Sequence, residues 1–135
     1  MITFLDTGPW VALIDRSEEM HTSCLQWFEE FNGTIYTTEA VLTEVLFLLN
    51  FSIQAQQAAL DFVLRGVITL IPLDIHLLAT ARWLMEKYSD LPMDFADATL
   101  VCLANETKIL NVATLDQRDF SIYRTLDNQH FEILP

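Results

Sequence analysis

Basic side chains are scarce in this chain. Seven Lys and Arg stand against nineteen Asp and Glu among 135 residues, a formal net charge of −12. Phosphate contacts are ordinarily made by Lys and Arg, so a nucleic-acid partner meets the wrong sign unless bound cations or a basic protein offset the carboxylates. Cysteine is nearly absent too. Cys24 and Cys102 show no CxxC spacing and suggest no disulfide framework, so both are expected in the core of a protein of the reducing cytoplasm. No apolar run approaches the roughly 20 residues that a bilayer span needs; VLFLLNF and LVCLA have the length of buried elements. The first ten residues lack the basic start and small-residue cleavage site of a secretory signal. Repeats, low-complexity tracts and linkers are missing as well. What remains is 52% hydrophobic and 19% charged, the balance of one globular domain over residues 1–135.

The apolar pattern alternates between short runs and helical stretches. ITFL (2–5) reads as a strand stopping at Asp6, and a helix over 7–14 follows, capped by Asp6 or Thr7 with Pro9 in its first turn. A second helix is expected from Ser17 to Phe31, ended by Asn32-Gly33. After the brief strand TIY (34–36), helices are expected from Thr37 or Thr38 to Asn50 and from Ser52 to about Gly66. VITLI (67–71) reads as a strand closed by Pro72, and a helix covers 74–88 before Asp90-Leu91-Pro92 breaks it. A last long helix spans about 94–107, with strands at 109–113 and 131–134. Such alternation implies an α/β domain of three layers, with a short, mostly parallel sheet between helices.

Asp6-Thr7-Gly8 has the form of an aspartic-protease triplet, but those enzymes are built almost wholly from hairpins, and here a helix follows at once. The architecture rejects that reading. Asp6, Glu44, Asp94, Asp97 and Asp116 form a set, with Asp119 a possible sixth. Singly, Asp6, Asp94 and Asp97 suit helix N-termini and Asp116 suits a turn. Glu44 lies mid-helix among Val41, Val45, Phe47 and Leu48, where burial is expected and an unpaired carboxylate is costly. Topology makes the set converge: Asp6 and Asp116 follow strands, and ligands of open parallel sheets gather beyond the carboxyl ends of strands where the winding reverses. Clustered carboxylates need a counter-charge, and oxygen donors select Mg²⁺ or Mn²⁺ over Zn²⁺. His21, His76 and His130 are scattered, and surface or packing roles are expected for them.

In order, LDTGPW, TTEAVLTEVLFLL, LPMDFADATLVCLA and VATLDQRDF resemble the motifs of a PIN domain, closest to the VapC-type ribonucleases of toxin–antitoxin pairs. The likeness runs from Ile2 to the final FEILP. By motif position it makes Asp6, Glu44, Asp97 and Asp116 the catalytic and metal-holding acids, with Asp94 an additional metal contact. It places Thr114 near the metal; Thr7, Asp119 and Arg118 join it as substrate or supporting residues. Gly8 departs from the Ser or Asn common at that position.

The resemblance implies Mg²⁺- or Mn²⁺-dependent cleavage of RNA, leaving a 5′-phosphate and a 3′-hydroxyl. It also implies a homodimer and an antitoxin whose basic tail enters the acidic cleft. Surplus apolar residues over 38–66 suit a protein interface, and Arg118 and Arg124 are candidates for steering RNA. A catalytically silent PIN module that binds RNA or protein is the alternative. A phosphoacceptor signalling domain would need a Lys after the late strand, and Lys108 precedes it. A phosphatase of the Asp-x-Asp type would need an acid where Gly8 stands.

Overall fold

The computed structural model describes all of residues 1–135. The chain runs β1 (Ile2–Leu5), α1 (Thr7–Ile14), α2 (His21–Glu30), β2 (Thr34–Thr37), α3 (Glu39–Leu48), α4 (Ile53–Leu64), β3 (Ile68–Leu70), α5 (Ile75–Lys87), α6 (Phe95–Thr107), β4 (Asn111–Ala113), α7 (Gln117–Ile122) and β5 (Glu132–Leu134). The five strands form one sheet in the order β3-β2-β1-β4-β5, parallel throughout. The expectation of a mostly parallel sheet is therefore met in full.

The register fixes the site. Leu5 pairs with Ala113, and Ala113 in turn with Leu134, so β1, β4 and β5 end level with one another. Chain order reverses between β1 and β4, and a crevice at the carboxyl edge opens at such a switch point. Around the sheet, α1 packs on α2, α3 and α4, α5 packs on α6, and α3 also meets α6.

α6 is the central helix. Nine consecutive residues from Ala96 to Ala104 are buried, because small and branched apolar side chains occupy every face of FADATLVCLA. Phe4, Leu5, Trp10, Val41, Val45, Leu100, Val101 and Phe120 belong to the same core. Cys24 and Cys102 are free and buried, and burial pushes the Cys102 thiol up to about 12.

Local chemistry explains the helix starts. Side chains of Asp6, Thr38, Ser52, Asp74, Asp94 and Asp116 each accept from a backbone N–H of the following turn. Three differences from expectation stand out. The second helix begins at His21, because residues 15–20 form turns in which Asp15 accepts from the Ser17 N–H and hydroxyl. The strands near 68 and 111 are three residues each. And α7, not anticipated, is a six-residue helix with one buried side chain, Phe120, too short to show periodicity.

Candidate functional site

Asp6 directly follows β1, where its N–H donates to the carbonyl of Ala113 (2.9 Å) and extends the ladder by one step. The residue is 6% exposed. One oxygen, Oδ1, accepts from the Thr7 N–H (2.8 Å), and Oδ2 accepts from the Thr114 hydroxyl (2.7 Å). The Thr114 Oγ1 also accepts from the N–H of Asp116 (3.0 Å). A single buried hydroxyl thus joins the acids of β1 and of the β4–α7 turn across the switch point. Thr7 reaches the other way, donating its hydroxyl to Glu44 Oε1 (3.3 Å) and tying α1 to α3.

Asp97 lies in the first turn of α6 and is 7% exposed. Asp94, the cap of α6, accepts from the Asp97 N–H (2.8 Å), which holds the two acids on one face. The Asp97 Oδ2 accepts from the hydroxyl of Tyr123 (2.9 Å). Carboxylate oxygens of Asp97, Asp116 and Asp119 lie within 4.8 Å of one another. Beside them, Glu44, Asp94, Phe95 and Thr43 line a groove of about 410 Å³ between α3 and α6.

No cationic side chain neutralises this crowd. The two ion pairs of the structure, Arg65–Asp61 and Lys108–Asp127, are elsewhere. Burial raises Asp6 to about 6, and the charges of Asp94 and Asp116 add to it against the hydrogen bonds from Thr114 and Thr7. Burial, with the charges of Asp6 and Asp94, raises Asp97 to about 8. Glu44 is raised by burial and then by Asp94 and Asp6, and Asp116 by loss of water and then by its neighbour Asp119. Such mutual elevation is what a missing positive charge produces. The donors are all oxygens, a set that suits a hard cation.

Most residues singled out from the sequence meet here. Asp6, Asp97, Asp116 and Asp119 are joined by hydrogen bonds or close carboxylates, and Asp94, Glu44, Thr7 and Thr114 border them. Capping and clustering are not alternatives: Asp6, Asp94 and Asp116 cap α1, α6 and α7, so three helix N-termini present acids to one crevice.

One expectation is corrected. Glu44 is half-buried, because only Val41, Val45 and Leu49 of its stretch are fully inward while Phe47 and Leu48 face outward. Arg124 has one nitrogen engaged: its Nη1 donates to the carbonyls of Ser121, Ile122 and Tyr123 (2.7, 3.0 and 2.9 Å) at the end of α7. Arg118 is exposed and in no ion pair. The His21 ring hydrogen-bonds with the carbonyl of Ala12 (2.6 Å), while His76 and His130 are exposed. At Gly8, a Cβ would meet the Leu115 side chain at 3.2 Å, so the start of α1 and the Thr114–Asp116 turn approach closely where a larger residue would press. Tyr123 was not anticipated; its partner is 26 residues away, and no local pattern marks it.

Fold and site define a class: a doubly wound α/β domain with a carboxylate cluster at its switch point. The family model described as PIN domain matches residues 3–125, and the chain belongs to the PIN domain family. Ribonuclease VapC26 of Mycobacterium tuberculosis (strain ATCC 25618 / H37Rv) is 25% identical over 133 residues, covering 97% of this chain and 98% of that protein. Among solved structures, Mycobacterium tuberculosis VapC20, described as a Sarcin-Ricin loop cleaving toxin, superposes with a TM-score of 0.76. It is 24% identical over 83% of this chain and 87% of its own. VapBC2 from Rickettsia felis, bound to a DNA fragment from their promoter, gives 0.68 at 19% identity over the whole of both chains.

Proposed function

We propose that this protein is a divalent-metal-dependent endoribonuclease and the toxin of a VapBC-type toxin–antitoxin pair. The observation that carries the reading is the meeting of Asp97, Asp116 and Asp119 beside buried Asp6 with no cationic side chain among them. The ribonuclease and toxin names of its relatives support it.

Asp6, Asp97 and Asp116 are the residues that would hold Mg²⁺ or Mn²⁺, with Asp94, Asp119 and Glu44 at the margin. When bound, such an ion supplies Lewis acidity toward a phosphate oxygen and brings the pKa of a water into a useful range. The chain's own groups do the positioning. Thr114 sets the spacing of Asp6 from Asp116, and Thr7 holds Glu44 at the mouth, where its free oxygen can orient the attacking water. Attack in line breaks the bond from phosphorus to the 3′-oxygen, leaving a 5′-phosphate and a 3′-hydroxyl. Arg118, exposed and next to Asp119 in the chain, is the residue we assign to the RNA backbone.

Partners follow from charge and from apolar surface. A chain of net charge −12 with an acidic crevice suits an antitoxin with a basic tail. Phe47, Leu48, Phe51 and Ile53 stand exposed at the junction of α3 and α4; exposed clusters of this kind suit an interface, here with a second copy of the chain. No helix is long and apolar enough to cross a membrane, and with two free cysteines a cytoplasmic site of action is the consistent choice.

Cleavage of RNA by the purified protein with Mn²⁺ or Mg²⁺, lost in EDTA and in Asp6→Asn, tests the reading. Full activity in EDTA rejects it, and folded protein that binds Mn²⁺ but cleaves no RNA favours the silent module.

A further inference from the structure

Tyr123 is wholly buried, yet it ends in a polar atom aimed at the candidate site. Its position is heavily determined. It follows α7 directly, and its N–H donates to the carbonyl of Asp119 (3.0 Å). Its ring packs edge-on against Tyr88 and Phe120, with centroids 5.1 Å away in both cases, and Phe120 packs in the same way on Phe131. Tyr88 is itself fixed, because its hydroxyl accepts from the N–H of Arg124 (3.0 Å). Held on these sides, the phenol has little freedom beyond rotation of its O–H. That O–H donates to Asp97 Oδ2, while no protein donor reaches Oδ1. The segment that brings Asp119 to the cluster therefore also brings the group that orients Asp97.

We infer that Tyr123 is a positioning residue: by holding Asp97 through Oδ2 it leaves Oδ1 as the single oxygen offered to a cation, which favours a small six-coordinate ion over Ca²⁺. A carboxylate gripped at one oxygen resists the two-oxygen mode that Ca²⁺ accepts and Mg²⁺ or Mn²⁺ does not need. Outer hydrogen bonds of this kind orient metal-holding groups, and their loss typically costs about 10- to 100-fold in metal affinity. The inference rests on the metal-dependent reading of the site.

Tyr123→Phe removes one oxygen and keeps the ring packing, and Tyr88→Phe is the control, deleting a hydroxyl of the same cluster that does not touch Asp97. Mn²⁺ binding is read from the spin-resonance signal of the free ion, with Ca²⁺ as competitor, and melting of the metal-free proteins confirms folding. In Tyr123→Phe, Mn²⁺ affinity is expected to fall by about 10- to 100-fold, with Ca²⁺ competing better than against the wild type. At saturating Mn²⁺, kcat on RNA falls while KM holds. Tyr88→Phe keeps wild-type Mn²⁺ affinity. Wild-type Mn²⁺ affinity and Ca²⁺ competition in Tyr123→Phe overturn the inference alone, and equal losses in both variants reduce Tyr123 to packing. A wild-type protein that takes up no Mn²⁺ overturns the metal reading and this inference with it.

Discussion

The crevice at the carboxyl edge and the outer face at the α3–α4 junction are opposite in chemistry and alike in energetics. The first crowds carboxylates, two of them buried, without a positive side chain. The second leaves Phe47 and Phe51 69% and 65% exposed to water. Neither arrangement helps an isolated chain fold: like charges in a poorly solvated cleft repel, and exposed aromatic area forgoes roughly 25 cal/mol per Å². Each becomes favourable when something binds, a cation in one and a protein surface in the other. They differ in reach. The crevice is held by hydroxyls and N–H groups, whereas the outer face is held only by the shape of two helices.

The largest effect is expected from breaking the crevice. Asp97→Asn keeps size and removes the charge, so RNA cleavage should fall to background in a gel assay. The same change should raise the melting temperature of the metal-free protein, because Asp97 is the acid pushed highest, to about 8. Loss of activity together with loss of metal-free stability would mean that Asp97 is a structural acid.

Next in size is the pH dependence of the wild type in EDTA. The folded values of about 6 for Asp6 and about 8 for Asp97 stand above the ordinary 3.8, so the native state binds these protons more tightly than the unfolded chain. That stabilisation is complete below about pH 4 and is lost as pH rises through about 6 and then about 8. At about 1.4 kcal/mol per pKa unit, the decline between pH 5 and 8 should reach on the order of a few kcal/mol. Thermal melts would show it, and millimolar Mg²⁺ should flatten the curve by binding the folded state. A metal-free protein equally stable at pH 5 and pH 8 would contradict the crowding.

Much of this was legible in the sequence, and the reason differs from residue to residue. Asp6 could be placed because ITFL stops at a polar residue. Asp97 could be placed because α6 is apolar on every face, so one acid in it is conspicuous. Convergence then followed from the alternation of elements, since crossovers bring strand ends together. Glu44 shows the limit: a run of Val, Leu and Phe reads as buried on most sides, but the outward half of α3 is an exposed apolar surface, and composition does not distinguish core from such a surface. α7 and Tyr123 were not legible because six residues show no period and a hydroxyl–carboxylate contact over 26 residues has no local signature.

Breaking the outer face should change assembly more than chemistry. Phe47→Glu with Phe51→Glu replaces both exposed rings by charge, and light scattering should report a monomer, against the dimer expected of the wild type. Melting should move little, as neither ring belongs to the core. If the double variant still pairs, the apolar groove of Ile75, Leu78, Met85 and Phe95 becomes the surface to alter.

The smallest effects should separate two arginines near the crevice. Arg124 engages one guanidinium nitrogen, Nη1, with three carbonyls at the end of α7, so Arg124→Ala should cost about 0.5–1 kcal/mol of stability, the usual worth of a cation at a helix C-terminus. Arg118 is exposed and bonded to no carboxylate, so Arg118→Ala should leave melting unchanged. Its removal should weaken RNA binding modestly and lower the slope of log affinity against log salt by about one, as loss of one phosphate contact does. Binding measured with Asp6→Asn protein keeps the RNA intact during the titration. The reverse pattern, with Arg124 controlling the salt slope and Arg118 the melt, would mean that the α7 carbonyls release Arg124 when RNA arrives.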